Sequence, residues 1–154
     1  MKQINHIVNA LPPVADAFSG TVYSDIINMK NYNHIQFIIQ RGAASGAGTA
    51  TITVEACDDV SASNVSAVPF VHQDCVSGDT FGAITKVAAT GFLAASGANG
   101  IFKIDVDTEA LLASGYSYIR LKSVEGVDFT YVGGIIAVLT EARFSQDIPD
   151  TAIV

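Results

Sequence analysis

Charge is the scarcest thing in this chain. Asp, Glu, Lys and Arg make up 15% of its 154 residues, where about 25% is usual for a globular protein. Ser, Thr, Asn, Gln, Ala and Gly must cover what ionised side chains usually cover, or another chain must, because monomers seldom leave large contiguous apolar patches in water. Of the charges present, 15 are acidic and 8 basic, for a net charge of −7. The basic residues are scattered, and only Arg120 and Lys122 are spaced to share a strand face. Phosphate binding draws on clustered Lys and Arg, so nucleic acid is not an expected partner. No basic amphipathic segment suits a membrane surface, and no apolar run approaches the roughly 18 residues that span a bilayer. Neither is a membrane expected.

Cysteine is nearly absent too. Cys57 and Cys75 lack CxxC spacing and read as small buried hydrophobes rather than a disulfide, a redox pair or a metal site. From Met1 to Val14 the polar Asn5, His6 and Asn9 and the Pro12-Pro13 pair interrupt any secretory h-region, so a cytoplasmic site of synthesis is expected. Tryptophan is missing, which leaves Tyr23, Tyr32, Tyr116, Tyr118 and Tyr131 as the tyrosines that could stack on a sugar.

Reactive constellations are missing as well. Gly42 to Thr49 resembles a phosphate loop only in its glycines: the Lys is lacking and a strand, not a helix, follows. Asp105, Asp107 and Glu109 have the alternate spacing of Ca²⁺ ligands, but Ala110 and Tyr116 stand where an EF-hand needs Gly and an acid. His6, His34 and His72 form no HxH or HExxH, although His34 and His72 could approach across neighbouring strands near Cys75. No GxSxG elbow is present. The expectation is a protein without enzymatic activity, catalytic residues, cofactor or metal.

What the chain does have is strand pattern. Ile35, Phe37 and Ile39 alternate with polar neighbours, and so do Ile52, Val54 and Ala56; a small-residue run between them reads as the tip of an antiparallel hairpin. Val22 to Ile27 reads as one strand, Val68 to Cys75 as another with Pro69 near its start, and Phe81 to Ala88 as a weak one. Thr90 to Asn99 reads as loop. Gly100 to Asp107 alternates cleanly, and Thr108 to Ser114 suits one or two helical turns closed by Gly115. Tyr116 to Val124 is a strand turned by Glu125-Gly126. Phe129 to Leu139 is apolar on both faces, as a strand covered from both sides would be, and Gly133-Gly134 within it points to a bulge or a close backbone approach. About eight short strands with turns every 8 to 12 residues predict an all-β fold, an antiparallel β-sandwich or flattened barrel. The expected division is an extended N-terminal arm over 1–19, one domain over 20–144 and a C-terminal tail over 145–154.

Tyr23 to Tyr32, His34 to Ile39, Thr51 to Ala56, Tyr118 to Leu121 and Ala142 to Phe144 resemble small virion proteins of tailed bacteriophages, the capsid decoration or cement proteins. The resemblance implies a homo-oligomer, commonly a trimer, seated on the major capsid protein at the capsid surface and reinforcing the shell. It carries over no catalytic residue. On this expectation the contacts come from Ile7, Val8, Leu11 and Phe18 of the arm and from Phe144 and Ile148 of the tail. The rival expectation is a carbohydrate- or receptor-binding β-sandwich module of a phage tail or fibre, using Tyr116 or Tyr118.

Overall fold

The computed structural model describes residues 5–75, 78–95, 99–144 and 151–153. Its organising element is a long antiparallel ribbon folded over on itself. Strands β4 (Tyr32–Ser45) and β12 (Thr130–Ala142) pair from Tyr32 opposite Ala142 to Ser45 opposite Thr130. Beyond a short break, β5 (Thr49–Cys57) and β11 (Tyr118–Val127) continue the same pairing, from Thr49 opposite Val127 to Cys57 opposite Tyr118. The two halves of the ribbon lie in different sheets, so their apolar sides face each other: Ile35, Phe37, Ile39, Ile135, Ala137 and Leu139 from one, Ile52, Val54, Ala56, Ile119 and Leu121 from the other.

The hairpin expected between residues 34–40 and 51–56 is therefore not formed. Alternation specifies which side of a strand is buried but not which strand lies beside it, and here the partner of both segments is the distant 118–142. The Gly-rich run is instead the fold line. Gly46 takes φ +90, and Gly48 is buried where a Cβ would stand 2.3 Å from both Phe129 Cδ1 and the Val127 carbonyl oxygen. Glu125 ties the crossing from outside, its carboxylate accepting from the amides of Gly20 (2.8 Å) and Phe129 (3.1 Å), and these bonds hold it below the usual carboxylate range. Glu125-Gly126 is thus an irregularity inside β11, where the register shifts between Glu125 and Val127, and not the end of that strand.

Around the ribbon the sheets are completed antiparallel. The first runs β1 (His6–Val14), β12, β4, β10 (Ile101–Asp107), β7 (Phe70–Cys75), β8 (Thr85–Val87). The second runs β2 (Thr21–Tyr23), β11, β5, β6 (Val65–Val68), with β3 (Ile27–Asn28) also on β11 and β9 (Phe92–Ala95) also on β5. This is an all-β antiparallel sandwich, not a closed barrel. One short helix, α1 (Thr108–Ser114), follows β10 as expected. Gly133-Gly134 bears out both of its expectations: the β12 register shifts between Tyr131 and Gly133, and a Cβ on Gly134 would meet the Leu11 oxygen at 2.9 Å.

Four expectations are corrected in detail. Of the expected arm over 1–19, residues 1–4 lie outside the described residues and residues 5–19 are not outside the domain: β1 is an edge strand on β12, with Val8 and Ala10 in the core and Phe18 buried with its ring centroid 4.9 Å from that of Tyr131. Val22–Ile27 is broken at Ser24, whose hydroxyl accepts from the Leu121 amide (2.9 Å) while Asp25 N donates to Ala10 O (2.7 Å), so this link bridges the two sheets along one side. Val68–Cys75 is split at Pro69, which has no N–H for a ladder and lies between β6 in one sheet and β7 in the other. Thr90–Asn99 contains β9, whose Phe92 packs against Phe70, His72 and Phe102. One aromatic among small residues is too little alternation to signal a strand. Of the C-terminal tail, residues 145–150 lie outside the described residues, while Ala152 is buried and Ile153 bridges to Ile27.

Candidate functional site

The outward face of the first sheet is divided lengthwise. Cross-strand neighbours share a face, so the register sets Ile7 of β1 beside Val138 of β12, and Ile136 of β12 beside Ile38 of β4. Val132 extends this set toward the fold line. Ile7, Val132 and Ile136 are 68%, 50% and 40% exposed. On the same face β10 and its neighbours carry Lys103, Asp105, Asp107, Gln73 and Lys86. An antiparallel sheet facing water normally alternates apolar inward and polar outward. Here the β10 side obeys that rule, β4 departs from it only at Ile38 between Gln36 and Gln40, and the β1–β12 edge does not obey it. The two-sided apolarity of β12 is as read, but its outer side is open instead of covered.

Two adjoining hollows mark this apolar half. One, about 210 Å³, lies among Ile7, Asn9, Leu11 and Ile136; the other, about 380 Å³, lies among Pro13, Asn99, Ile101 and Val132. They share Pro13, Gln40 and Gly134. Gly134 sits where the irregular stretch of β1 between Leu11 and Val14 runs close beside β12, so its missing side chain serves that close approach first.

Of the residues expected to make contacts, Ile7 and Phe144 are exposed and Leu11 is partly buried. Val8 and Phe18 are corrected: both are in the core of this chain, because the pleat turns Val8 opposite to Ile7 and because Phe18 fills the space inside β12. Ile148 lies outside the described residues. The structure does not gather the five described ones into one patch. It adds Ile38, Ile136 and Val138, which the sequence reading did not single out. The signal was the β12 segment with no polar face.

His34 and His72 flank β10 but point to opposite sides of the sheet, so they cannot share a ligand. His72, paired with buried Ile104, stacks on Phe92 at 4.1 Å inside the sandwich, and burial pushes its imidazole down. His34 faces outward, its Nε2 3.4 Å from Asp105 and its Nδ1 2.9 Å from Thr140 Oγ1, while Gln36 donates to Asp105 at 2.7 Å. The hydrogen bond to Asp105 raises the His34 pKa against the opposing effect of burial, with Asp107 and Glu141 adding to the rise. Burial alone would lift Asp105, but hydrogen bonds from His34 and Gln36 outweigh it and hold the carboxyl low. A raised imidazole stabilises the fold while protonated, fully below the ordinary 6.5 and not above its folded value. The depressed carboxyl contributes above 3.8 and loses that as pH falls through its lower folded value. His34 is therefore expected to contribute a modest fall in the thermal midpoint as pH rises from about 6 to about 8, against the opposite contribution of His72 near the low end, so that the difference between wild type and His34→Gln shrinks with pH. The effect should stay below about 1 kcal/mol because the pair is partly solvated. A melting series across that range in both proteins checks it.

The outward face of the second sheet is of another kind. Tyr118, Arg120 and Lys122 project together from β11. Arg120 contacts Glu55 through Nη2 (2.7 Å) and Nε (2.9 Å), and Lys122 reaches the other oxygen at 3.2 Å. The Arg120 guanidinium lies 4.0 Å from the Tyr23 ring centroid, and Lys30 Nζ 5.3 Å from that of Tyr118. Cations thus cover the ring faces that a sugar would stack on, and Tyr116 lines a small pocket at the end of the sandwich instead. Cys57 and Cys75 belong to different sheets and form no disulfide; burial pushes the Cys57 thiol up to about 11.

No family model matches the chain, and no curated protein sequence does. Among solved structures, the crystal structure of SPBc2 prophage-derived protein YomS is similar over 92% of this chain and 98% of that one, at 12% sequence identity and a TM-score of 0.48.

Proposed function

We propose that this chain is a non-enzymatic structural protein of a tailed-phage virion, which self-associates and binds the outside of the capsid, stabilising the shell. The resemblance of its strands to decoration proteins supplies the context and suggests a trimer seated on the major capsid protein. The observation that carries the reading is the apolar β1–β12–β4 half of the outer sheet face. A chain with so few charges leaves Ile7, Ile38, Val132, Ile136 and Val138 together toward solvent, and burying such a patch against another copy gains roughly 25 cal/mol per Å². Obligate interfaces have this apolar character, like a domain core cut in half.

Light scattering at micromolar concentration is expected to give a multiple of the 16.1 kDa chain mass. Ile136→Asp should reduce it to a single copy without lowering the melting temperature appreciably, since the side chain is already part-solvated. A wild-type mass of one chain, with no retention on purified phage capsids, would sink the reading.

A further inference from the structure

We infer that the basic row along β11 is a second docking surface, and that its partner is an acidic protein segment. Four of the chain's eight basic residues lie on this row, Lys30, Arg120, Lys122 and Arg143. The carboxylate set among them, Glu55, is already engaged by Arg120 and Lys122. Asp58 and Asp59 stand just beyond Cys57, but their oxygens accept from Asn64 and from Ser61 and Ser63 within their own turn. In a chain of net charge −7, four cations set around the single carboxylate of Glu55 are a local reversal of the molecule's field.

Three features select carboxylates over other anions. The row already displays the required chemistry, since Glu55 shows how a carboxylate is gripped there by a guanidinium and an ammonium together. At its end, Lys30 and Arg143 border a hollow of about 120 Å³ lined also by Thr108, Tyr116 and Ser117, with no acidic residue in its wall among the described residues. That space suits a single carboxylate and not a sugar ring. The Tyr23 and Tyr118 rings are covered by Arg120 and Lys30, so no free stacking platform exists for a sulfated glycan. The remaining acidity of the chain would also repel a long polyanion at a distance, whereas a short acidic segment meets only the row.

Arg120 and Lys122 lie on the opposite sheet from the apolar face, and Lys30 and Arg143 at the end of the sandwich, so the inference stands apart from the self-association reading. The test is fluorescence anisotropy of a labelled oligoglutamate peptide titrated with the full chain at low salt. Saturable binding is expected, weakening as salt is raised through the range where the screening length falls below about 10 Å. The double variant Lys30→Glu, Arg143→Glu should bind about tenfold more weakly, and Lys86→Glu, on β8 of the other sheet, should bind as wild type. Lys30→Gln serves if the double variant melts early. Absence of binding, equal loss in Lys86→Glu, or tighter binding to a heparin oligosaccharide would each overturn the inference. Chain mass measured in the same samples keeps the outcomes separate, since an oligomer that ignores the peptide removes this surface and leaves the apolar one.

Discussion

Valine at position 48 is expected to destabilise the protein by about 3 kcal/mol, the upper range for overpacking a filled site. For a domain of this size that lowers the melting temperature by roughly 6 to 12 °C. The reason is local and steric. Gly48 is where the folded ribbon crosses itself, and even a single methyl there would sit 2.3 Å from Phe129 Cδ1 and from the Val127 backbone. Phe129 cannot swing away cheaply: it is 4% exposed and its ring centroid lies 5.0 Å from that of Tyr131, which in turn packs on Phe18. Gly46, two residues earlier, provides the contrast. Its φ of +90 strains any side chain, but a Cβ there would find its nearest neighbours at 3.9 Å, so Gly46→Ala should cost only about 1 kcal/mol. Thermal melts of the two variants decide between a packed crossing and a loose loop tip. Equal, small effects would mean that the fold line is not packed as described.

The same corner shows what could be read from the sequence and what could not. Individual strands were legible wherever alternation was clean, as in Phe102, Ile104 and Val106 or Ile119 and Leu121, because period two is a property of six or seven local residues. The helix after Asp107 was legible for the same reason, through Thr108, Glu109 and Gly115. Partner choice was not. Residues 35–39 and 52–56 are joined by a small-residue run that would serve a hairpin equally well, and only the pairing with 118–142, some eighty residues away, puts them in separate sheets. Sheet-switching at Pro69 is likewise decided by what lies beneath it.

The candidate surfaces were half legible. Arg120 and Lys122 announced a shared face by spacing, but Lys30 and Arg143 join them only through the fold, from the β3–β4 link and the end of β12. The doubly apolar β12 was visible, yet whether its outer side meets this chain or another depends on how many strands the chain can spare to cover it. In the structure β1 lies beside β12 and not over it. The first residues read as an arm because an apolar stretch with two prolines and no obvious partner strand looks like one.

The sharpest expected contrast falls on two adjacent residues of that supposed arm. Val8 is 3% exposed and Ile7 is 68% exposed, so the same substitution should do opposite things. Val8→Asp places a carboxylate opposite Ala137 in the apolar core, with a cost of about 4 kcal/mol or more. Ile7→Asp should change the stability of the single chain by less than about 0.5 kcal/mol, as exposed substitutions do, while dissociating the oligomer, because it places charge on the most exposed side chain of the apolar set, beside Val138. Deleting residues 1–18 should go further than either. It removes Val8, Ala10, Ala17 and Phe18 from the core, of which Phe18 alone accounts for about 3 to 5 kcal/mol, and it bares the edge of β12. Against a total stability of some 5 to 15 kcal/mol, the shortened chain should not fold. Circular dichroism melts and light scattering on the three proteins separate the possibilities. A truncated chain that melts like wild type but no longer binds capsids would make the segment an arm after all. One that fails to fold makes it the edge strand, and leaves the outward side chain of Ile7 as the residue whose loss reports on assembly alone.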